Sequence, residues 1–302
     1  FDLKKVLLVI NLKSGVGIAK NFHAKILEIA ERNHLQLKMY ETTGIDDHKE
    51  IRTIIKGFHP DIVYAVGGDG TVNLVASELI NTNIALAVFP AGSANGLAYN
   101  LGISNDIETA LTSYLEEPPR QMDAIKINKS YFCFHLADIG VNARVVSRFE
   151  KEGSKGMLGY AKHLIKEMFE KKTSFTFYIT IPGYNRRKMK GEMLVFANAK
   201  SFGTGAIINP TGKLNDGKFE IIVLRPYPWW FVFTFFYAVF TGNLHRMKYI
   251  KVFSTSKALI ELVIKQELQV DGEIIPGIKT IEAEIIPAAL NILPGDSAKT
   301  EF

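Results

Sequence analysis

Short apolar runs at 6–10, 35–40, 62–66 and 84–89 alternate with stretches at 22–32, 51–56 and 72–80 whose apolar residues recur at helical spacing. No other feature restricts the fold as much. Strands separated by helices are joined by crossovers, so the alternation predicts a parallel sheet covered on both faces. Ligands of such sheets bind at the carboxyl ends of the strands. The sequence places its small polar residues there: Asn11 with Ser14 and Gly15, then Thr42-Thr43-Gly44, then Gly67-Gly68-Asp69-Gly70-Thr71, then Pro90-Ala91-Gly92-Ser93-Ala94-Asn95-Gly96. Each alone reads as an ordinary turn, whereas four of one chemical kind at one edge favour a nucleotide cleft.

The third loop carries the most chemistry. Glycines after a strand let backbone N–H groups approach an anion closely, and phosphate is the expected anion. Gly68 is expected to tolerate no side chain, because a Cβ would block that approach. Val72, Val75, Ala76, Leu79 and Ile80 predict a helix starting near Thr71, whose positive end would face the phosphates. Asp69 would repel them unless a cation stands between, which points to a metal-nucleotide site. The competing reading is a tight strand-to-helix turn with incidental glycines. The common phosphate fingerprints are absent: Lys20 stands where a dinucleotide loop starting Gly15-Val16-Gly17 needs its third glycine, and no Gly-Lys-Ser/Thr occurs.

At 302 residues and 47% hydrophobic content the chain supports two cores. A formal charge of +5 permits attraction to anionic lipid or nucleic acid without demanding either. Basic and aromatic residues do not interleave along one element, so no nucleic-acid partner is expected. Cys133, the single cysteine, lies in an apolar run and is expected to be a buried, inert thiol in a reducing compartment. No signal peptide is expected, because Phe1-Asp2-Leu3-Lys4-Lys5 runs directly into the first strand.

From about Gln121 the pattern turns to strands, at 131–137, 174–181, 192–197, 219–224, 257–264, 268–270 and 281–286, with helical patterns at 157–171 and 229–240. A second, sandwich-like domain is expected over 123–287, after a first domain over 1–122 to which 288–302 is free to return. The window 229–240 is apolar on nearly every face but shorter than the roughly 20 residues that span a bilayer. Burial is its first reading, and an interfacial or acyl-chain contact its second. Arg186, Arg187, Lys188 and Lys190 read as a solvated hairpin tip, with a patch for anionic lipid as the alternative. His135 reads as a satisfied core residue.

These residues resemble the diacylglycerol kinase catalytic-domain family, which includes sphingosine and ceramide kinases and bacterial soluble lipid kinases. The resemblance spans nearly the whole chain and rests on the loop Gly67 to Thr71 with Asn73, the loop Pro90 to Ala98, and the weaker early motifs at Asn11, Ser14, Gly15, Thr42, Thr43 and Asp47. Near the other end, Lys213-Leu214-Asn215-Asp216-Gly217-Lys218-Phe219 resembles the family's metal-binding turn, and Val270-Asp271-Gly272-Glu273 its catalytic Asp-Gly-Glu. Leu74, Gly96 and Asn142 depart from the family pattern, while Asp69 and Asp123 remain of its acidic network.

The resemblance implies an α/β N-terminal nucleotide-binding domain like those of NAD kinases and phosphofructokinases, and a C-terminal β-sandwich that binds lipid. It implies transfer of the γ-phosphoryl group of ATP, with Mg²⁺, to a free hydroxyl of a diacylglycerol-, sphingoid- or phosphatidylglycerol-like membrane lipid. Asn11, Ser14, Thr42, Thr43, Gly67, Gly68, Asp69, Gly70, Thr71, Asn73, Ser93 and Asn95 would bind the nucleotide. Lys213, Asp216 and Lys218 would hold a structural Mg²⁺, although Asn-Asp-Gly is also a turn signal that needs no ion. Glu273 would act as base with Asp271 in support, beside the catalytic Asp69. The alternative is that Asp-Gly is only a hairpin turn. In an extended segment both carboxylates of Asp271 and Glu273 are expected to point the same way. The expected setting is cytoplasmic, with peripheral contact to an anionic membrane, and a homodimer is left open. A catalytically silent nucleotide- or lipid-binding protein of this fold, and an NAD kinase, are the competing functions.

Overall fold

The computed structural model describes residues 4–12, 16–92, 94–104, 106–140, 174–202, 206–295 and 302. Ser14, Gly15, Ser93, Asn142 and the helical pattern at 157–171 lie outside them. The chain forms two units, Phe1–Met122 with Ala288–Phe302, and Asp123–Pro287.

In the first unit β1 (Lys5–Ile10), β2 (Gln36–Glu41), β3 (Ile62–Gly67) and β4 (Ala85–Pro90) alternate with α1 (Val16–Arg32), α2 (Asp47–Phe58) and α3 (Asp69–Leu79). All pairings are parallel and give the spatial order β2-β1-β3-β4. β3 is buried at every position and β1 and β4 nearly so, which is why all three read as unbroken apolar runs. β2, largely exposed, mixes Lys38 and Glu41 with its apolar residues. Two helices that the apolar spacing did not reveal, α4 (Gly96–Asn100) and α5 (Ile107–Glu116), follow β4. The second starts on Asp106, whose carboxylate accepts the Thr109 N–H at 2.9 Å. Asn291 and Ile292, near the end of the chain, add a further parallel strand beside β4.

The second unit is antiparallel. It contains β5 (Arg120–Ile127), which carries the chain in, β6 (Tyr131–Cys133), β7 (Leu136–Gly140), β8 (Phe175–Thr180), β9 (Arg187–Gly191), β10 (Met193–Ala197), β11 (Phe219–Leu224), helix α6 (Phe231–Phe240), β12 (Ile250–Thr255), β13 (Lys257–Val270) and β14 (Glu273–Ile292). β13 is one long strand where the sequence reads as two, because register shifts between Glu261 and Leu268 bend it without ending it. Its first half pairs with β8 and its second with β7, so one strand serves two layers. Alternate residues of those layers, among them Ile139, Phe177, Phe196, Ile221, Ile260 and Leu268, meet in one core. The other face of β10 and β11, with Met193, Val195, Ile222 and Leu224, packs under α6 through Phe231, Val232, Phe235, Ala238 and Val239. Two covered faces explain why β10 and β11 are wholly apolar or buried.

Burial therefore holds for only one side of α6, and Trp229, Trp230, Phe233, Tyr237 and Phe240 stay exposed. The run 131–137 breaks into β6 and β7 around Phe134 and His135. The charged β9 lacks the apolar alternation that would have marked it as a strand.

The first core is rich in aromatic contacts: Phe89 lies 4.4 Å from Phe22, 5.4 Å from Tyr64 and 5.1 Å from Tyr114 between ring centroids. The Tyr114 hydroxyl donates to the Val88 carbonyl. The Tyr64 hydroxyl is buried with no hydrogen-bond partner, and burial pushes its pKa up to about 12. An unmet buried hydroxyl is destabilising, so Tyr64→Phe is expected to leave stability unchanged or raise it by up to about 1 kcal/mol in urea unfolding. A clear loss of stability would mean that the hydroxyl is bonded.

Candidate functional site

The carboxyl edge of the first sheet is ordered by backbone bonds that run one residue beyond the strands. The Asn11 N–H donates to Val66 O at 3.0 Å, Thr42 to Ile10 O at 2.9 Å and Ala91 to Gly67 O at 2.9 Å. The loops therefore leave the sheet side by side. The chain goes from β1 out to β2 and then returns to the other side of β1 for β3, so the strand order reverses between β1 and β3. Asn11 and the Gly67 loop flank that reversal, the usual ligand position in an open parallel sheet.

The glycines there serve packing first. A Cβ on Gly67 would collide with the Thr71 side chain, and one on Gly68 would lie 3.3 Å from Gly92 Cα. A Cβ on Gly92 would stand 2.5 Å from Gly68 Cα and 2.9 Å from Asn95 Oδ1. Gly68 is thus restricted by the neighbouring loop. Gly70 has nothing within 4 Å of its Cβ position. α3 begins at Asp69, two residues before its expected start, with Gly68 as its N-cap. The N–H groups of its first turn, at Asp69, Gly70 and Thr71, precede the helix's own hydrogen bonds and lie at its positive end.

The polar side chains of this edge mostly hold the loops. Asp69 Oδ1 accepts the Leu97 N–H at 3.4 Å, which links the third loop to α4. Asn95, at φ 48, accepts the Gly92 N–H and donates to Gly92 O, both at 2.8 Å, so its amide closes the fourth loop. Asn11 Nδ2 lies 3.4 Å from Thr71 Oγ1, and Asn73 Oδ1 accepts from the Ser77 hydroxyl at 3.2 Å. Thr42 leaves β2, and Thr43 is tied to Asp47, which accepts its N–H at 2.9 Å, the Gly44 N–H at 2.8 Å and the Tyr40 hydroxyl at 2.7 Å. Burial would raise the Asp47 carboxyl, but these donors outweigh it and hold the pKa below the ordinary value. Burial and then the Asp47 carboxylate push Tyr40 up to about 12.

In the second unit, Asp271 and Gly272 are the two-residue turn between β13 and β14, both at positive φ (45 and 98), with Val270 paired to Glu273. This corrects the expectation of two carboxylates in one extended segment. Asp271 is 5% exposed and accepts the N–H groups of Phe134 at 2.7 Å and of His135 and Leu136 at 3.0 Å, while Glu273 is exposed. Those amides are free to meet Asp271 because the strand run breaks there. Cys133 donates its thiol to Asp271 at 3.5 Å, and burial with the Asp271 charge pushes its pKa well above the usual range, as suits an inert thiol. His135 is satisfied by the Ser201 carbonyl at 2.6 Å.

Further buried polar groups continue this network. Gln269, with its amide oriented as its neighbours require, donates to Asp138 at 3.0 Å and accepts the Gly272 N–H at 2.6 Å. Asn198 donates to the carbonyls of Asp123 and Phe134 at 2.9 and 3.0 Å. Asp123 bonds Leu214 O through its N–H and accepts the Gly217 N–H at 2.7 Å, and Asp216 accepts the Lys218 N–H at 3.0 Å. The turn 213–218 is thereby shaped by two carboxylates. Sequence reasoning named Asp123 but missed Asp138, Asn198 and Gln269, whose one signal is a polar residue inside an apolar strand run. Among the described residues, no group of three or more His, Cys, Asp or Glu could hold a metal.

Residues 5–127 match the family model described as the diacylglycerol kinase catalytic domain, and residues 136–294 that of the YegS C-terminal NAD kinase beta sandwich-like domain. The chain is 27% identical over 230 residues to the "Diacylglycerol kinase" of Bacillus subtilis, covering 74% of each chain. It is 28% identical over 240 residues to the "Probable lipid kinase YegS-like" protein of Shewanella frigidimarina, covering 76% of this chain and 75% of that one. The crystal structure of a diacylglycerol kinase from Bacillus anthracis superposes with a TM-score of 0.79 over 98% of this chain and 99% of that one, at 21% identity, a likeness of fold.

The loop contacts make a direct prediction for stability. Gly92→Ala is expected to destabilise the protein by about 1–3 kcal/mol in urea unfolding, because backbone must shift to admit the methyl group. Gly70→Ala is expected to leave stability nearly unchanged. Equal effects at the two positions would mean that the loops do not touch as described.

Proposed function

Because the chain belongs to the diacylglycerol kinase catalytic-domain family, we propose that it is an ATP-dependent lipid kinase, which transfers the γ-phosphoryl group to a free hydroxyl of a diacylglycerol-, sphingoid- or phosphatidylglycerol-like membrane lipid. The observation that carries this reading is the backbone contact of the Gly67–Thr71 and Pro90–Gly96 loops at the carboxyl edge of the sheet. That contact sets N–H donors and the start of α3 beside the β1/β3 reversal, a donor set suited to phosphate oxygens. Asn11, Thr42, Thr71 and the first-turn amides of α3 bind the nucleotide. Thr43, Asn73 and Asn95 act mainly by holding the loops in place, and Ser14 and Ser93 complete the nucleotide set.

Bound Mg²⁺ would neutralise charge on the phosphates, and Asp69 is the residue of this edge that would hold it, directly or through water. The lipid hydroxyl, a weak nucleophile when neutral, gives its proton to Glu273. Asp271 is a positioning residue: its oxygens are engaged by backbone amides, and it shapes the turn from which Glu273 projects. A second, structural Mg²⁺ would be held at the turn 213–218 by Asp216 with the carbonyls of Lys213 and Lys218 and by water. We place the reaction on the cytoplasmic side of a membrane that the protein contacts peripherally. No helix among the described residues is long and apolar enough to cross one.

A screen of hydroxyl lipids with labelled ATP tests the activity. Asp69→Ala is expected to abolish transfer, and Glu273→Gln to bind ATP normally but lose kcat by about 10²–10⁴-fold. Turnover on NAD instead of lipid, or nucleotide binding with no turnover, would replace the proposal with one of its rivals. If Asp69→Ala turned over normally, the Gly67 loop would be only a turn.

The structural ion is tested by stability alone. After chelation, added Mg²⁺ is expected to raise Tm in the native protein and not in Asp216→Ala. An equal rise in both would remove the ion from this turn.

A further inference from the structure

The helix α6 has two unlike sides. Phe231, Val232, Phe235, Ala238 and Val239 are buried over β10 and β11, and the opposite side with the preceding turn shows Trp229, Trp230, Phe233, Tyr237 and Phe240 to solvent, each between 48% and 72% exposed. The spacing from Phe233 to Tyr237 to Phe240 keeps them on one stripe. Trp229 packs edge-on to Phe233 at 6.4 Å, so the stripe continues through the turn. A contiguous aromatic surface of this kind on an exposed helix marks a docking surface.

Its surroundings select the partner. From residue 221 to residue 260 the sequence has no Asp or Glu, yet it carries Arg225, Arg246, Lys248, Lys251 and Lys257. Arg225 donates to the Lys248 carbonyl and its N–H to Tyr249 O, which brings the cations from both ends of the segment together. Arg225, Arg246, Lys248 and Lys251 are exposed. A second copy docked on the same stripe about a two-fold axis would set these cations against their own images, with no local carboxylate to answer them. An anionic bilayer answers both features: its interface accepts Trp, Tyr and Phe, and its headgroups attract the cations.

We infer that the exposed aromatic stripe of α6, with the cations at its ends, is the surface by which this protein docks on an anionic lipid membrane. The inference rests on the lipid-kinase reading for its purpose, since such an enzyme must reach a substrate embedded in a bilayer. Its physical content is independent of turnover.

Trp229 and Trp230 are the two tryptophans of the chain, so intrinsic fluorescence reports on this surface directly. With the 302-residue chain and no nucleotide, vesicles of phosphatidylcholine with phosphatidylglycerol are expected to shift Trp emission to the blue and to co-sediment the protein, more so than phosphatidylcholine alone. The triple variant Phe233→Ser, Tyr237→Ser, Phe240→Ser is expected to lose at least tenfold in vesicle partitioning with an unchanged Tm, because all three side chains are exposed. Arg246→Gln with Lys248→Gln is expected to keep binding but lose the preference for anionic vesicles. Unchanged emission and sedimentation with either vesicle, or undiminished binding by the triple variant, overturns the inference. So does a concentration-dependent dimer without vesicles that the triple variant abolishes, which would make the stripe a contact between copies. Since the assay needs no phosphoryl transfer, a negative kinase screen and a negative vesicle result remain separate findings.

Discussion

The backbone of Gly68 lies against that of Gly92, and the organisation of the first unit's carboxyl edge follows from that approach. Because no side chain fits between them, the third and fourth loops form one surface. Asp69 reaches the first turn of α4, and Asn95 folds back on Gly92. The sheet beneath is apolar and covered, so it supplies rigidity, while the loops supply donors. The polar side chains read from the sequence as ligands spend much of their hydrogen bonding on loop shape. That leaves backbone amides and the helix terminus as the groups most suited to an anion.

A second constraint acts in the other unit. Asp271 is buried and negative, and a buried carboxylate is tolerable only when well supplied with donors. The amides of Phe134, His135 and Leu136 supply them, at the break in the strand run 131–137. The same arrangement fixes the hairpin turn and sets Glu273 in solvent at its edge. The hairpin reading therefore holds for Asp271 and Gly272, and the turn leaves the Glu273 carboxylate exposed.

The parallel first sheet was legible because β1, β3 and β4 are buried, apolar runs and its helices are amphipathic. Its β1/β3 reversal was not, since spatial order leaves no mark on periodicity. In the second unit, β10 and β11 were visible as apolar runs, while β9, with Arg187, Lys188 and Lys190, was hidden by its charge. The α6 segment shows a limit of composition: its apolar content alone could not tell the side packed on the sheet from the side turned to water. Asp69 and Glu273 were found as motif residues. Asp138, Asn198 and Gln269 were missed because single polar residues in buried strands are defined by the partners the fold brings to them.

The central claim is that the two touching loops form the nucleotide cradle. Amide hydrogen exchange of the 302-residue chain, with and without Mg-ATP, tests it most directly. The account predicts that nucleotide slows exchange at 67–72 and 91–97. Binding of Mg-ATP that leaves exchange in both loops unchanged would contradict it.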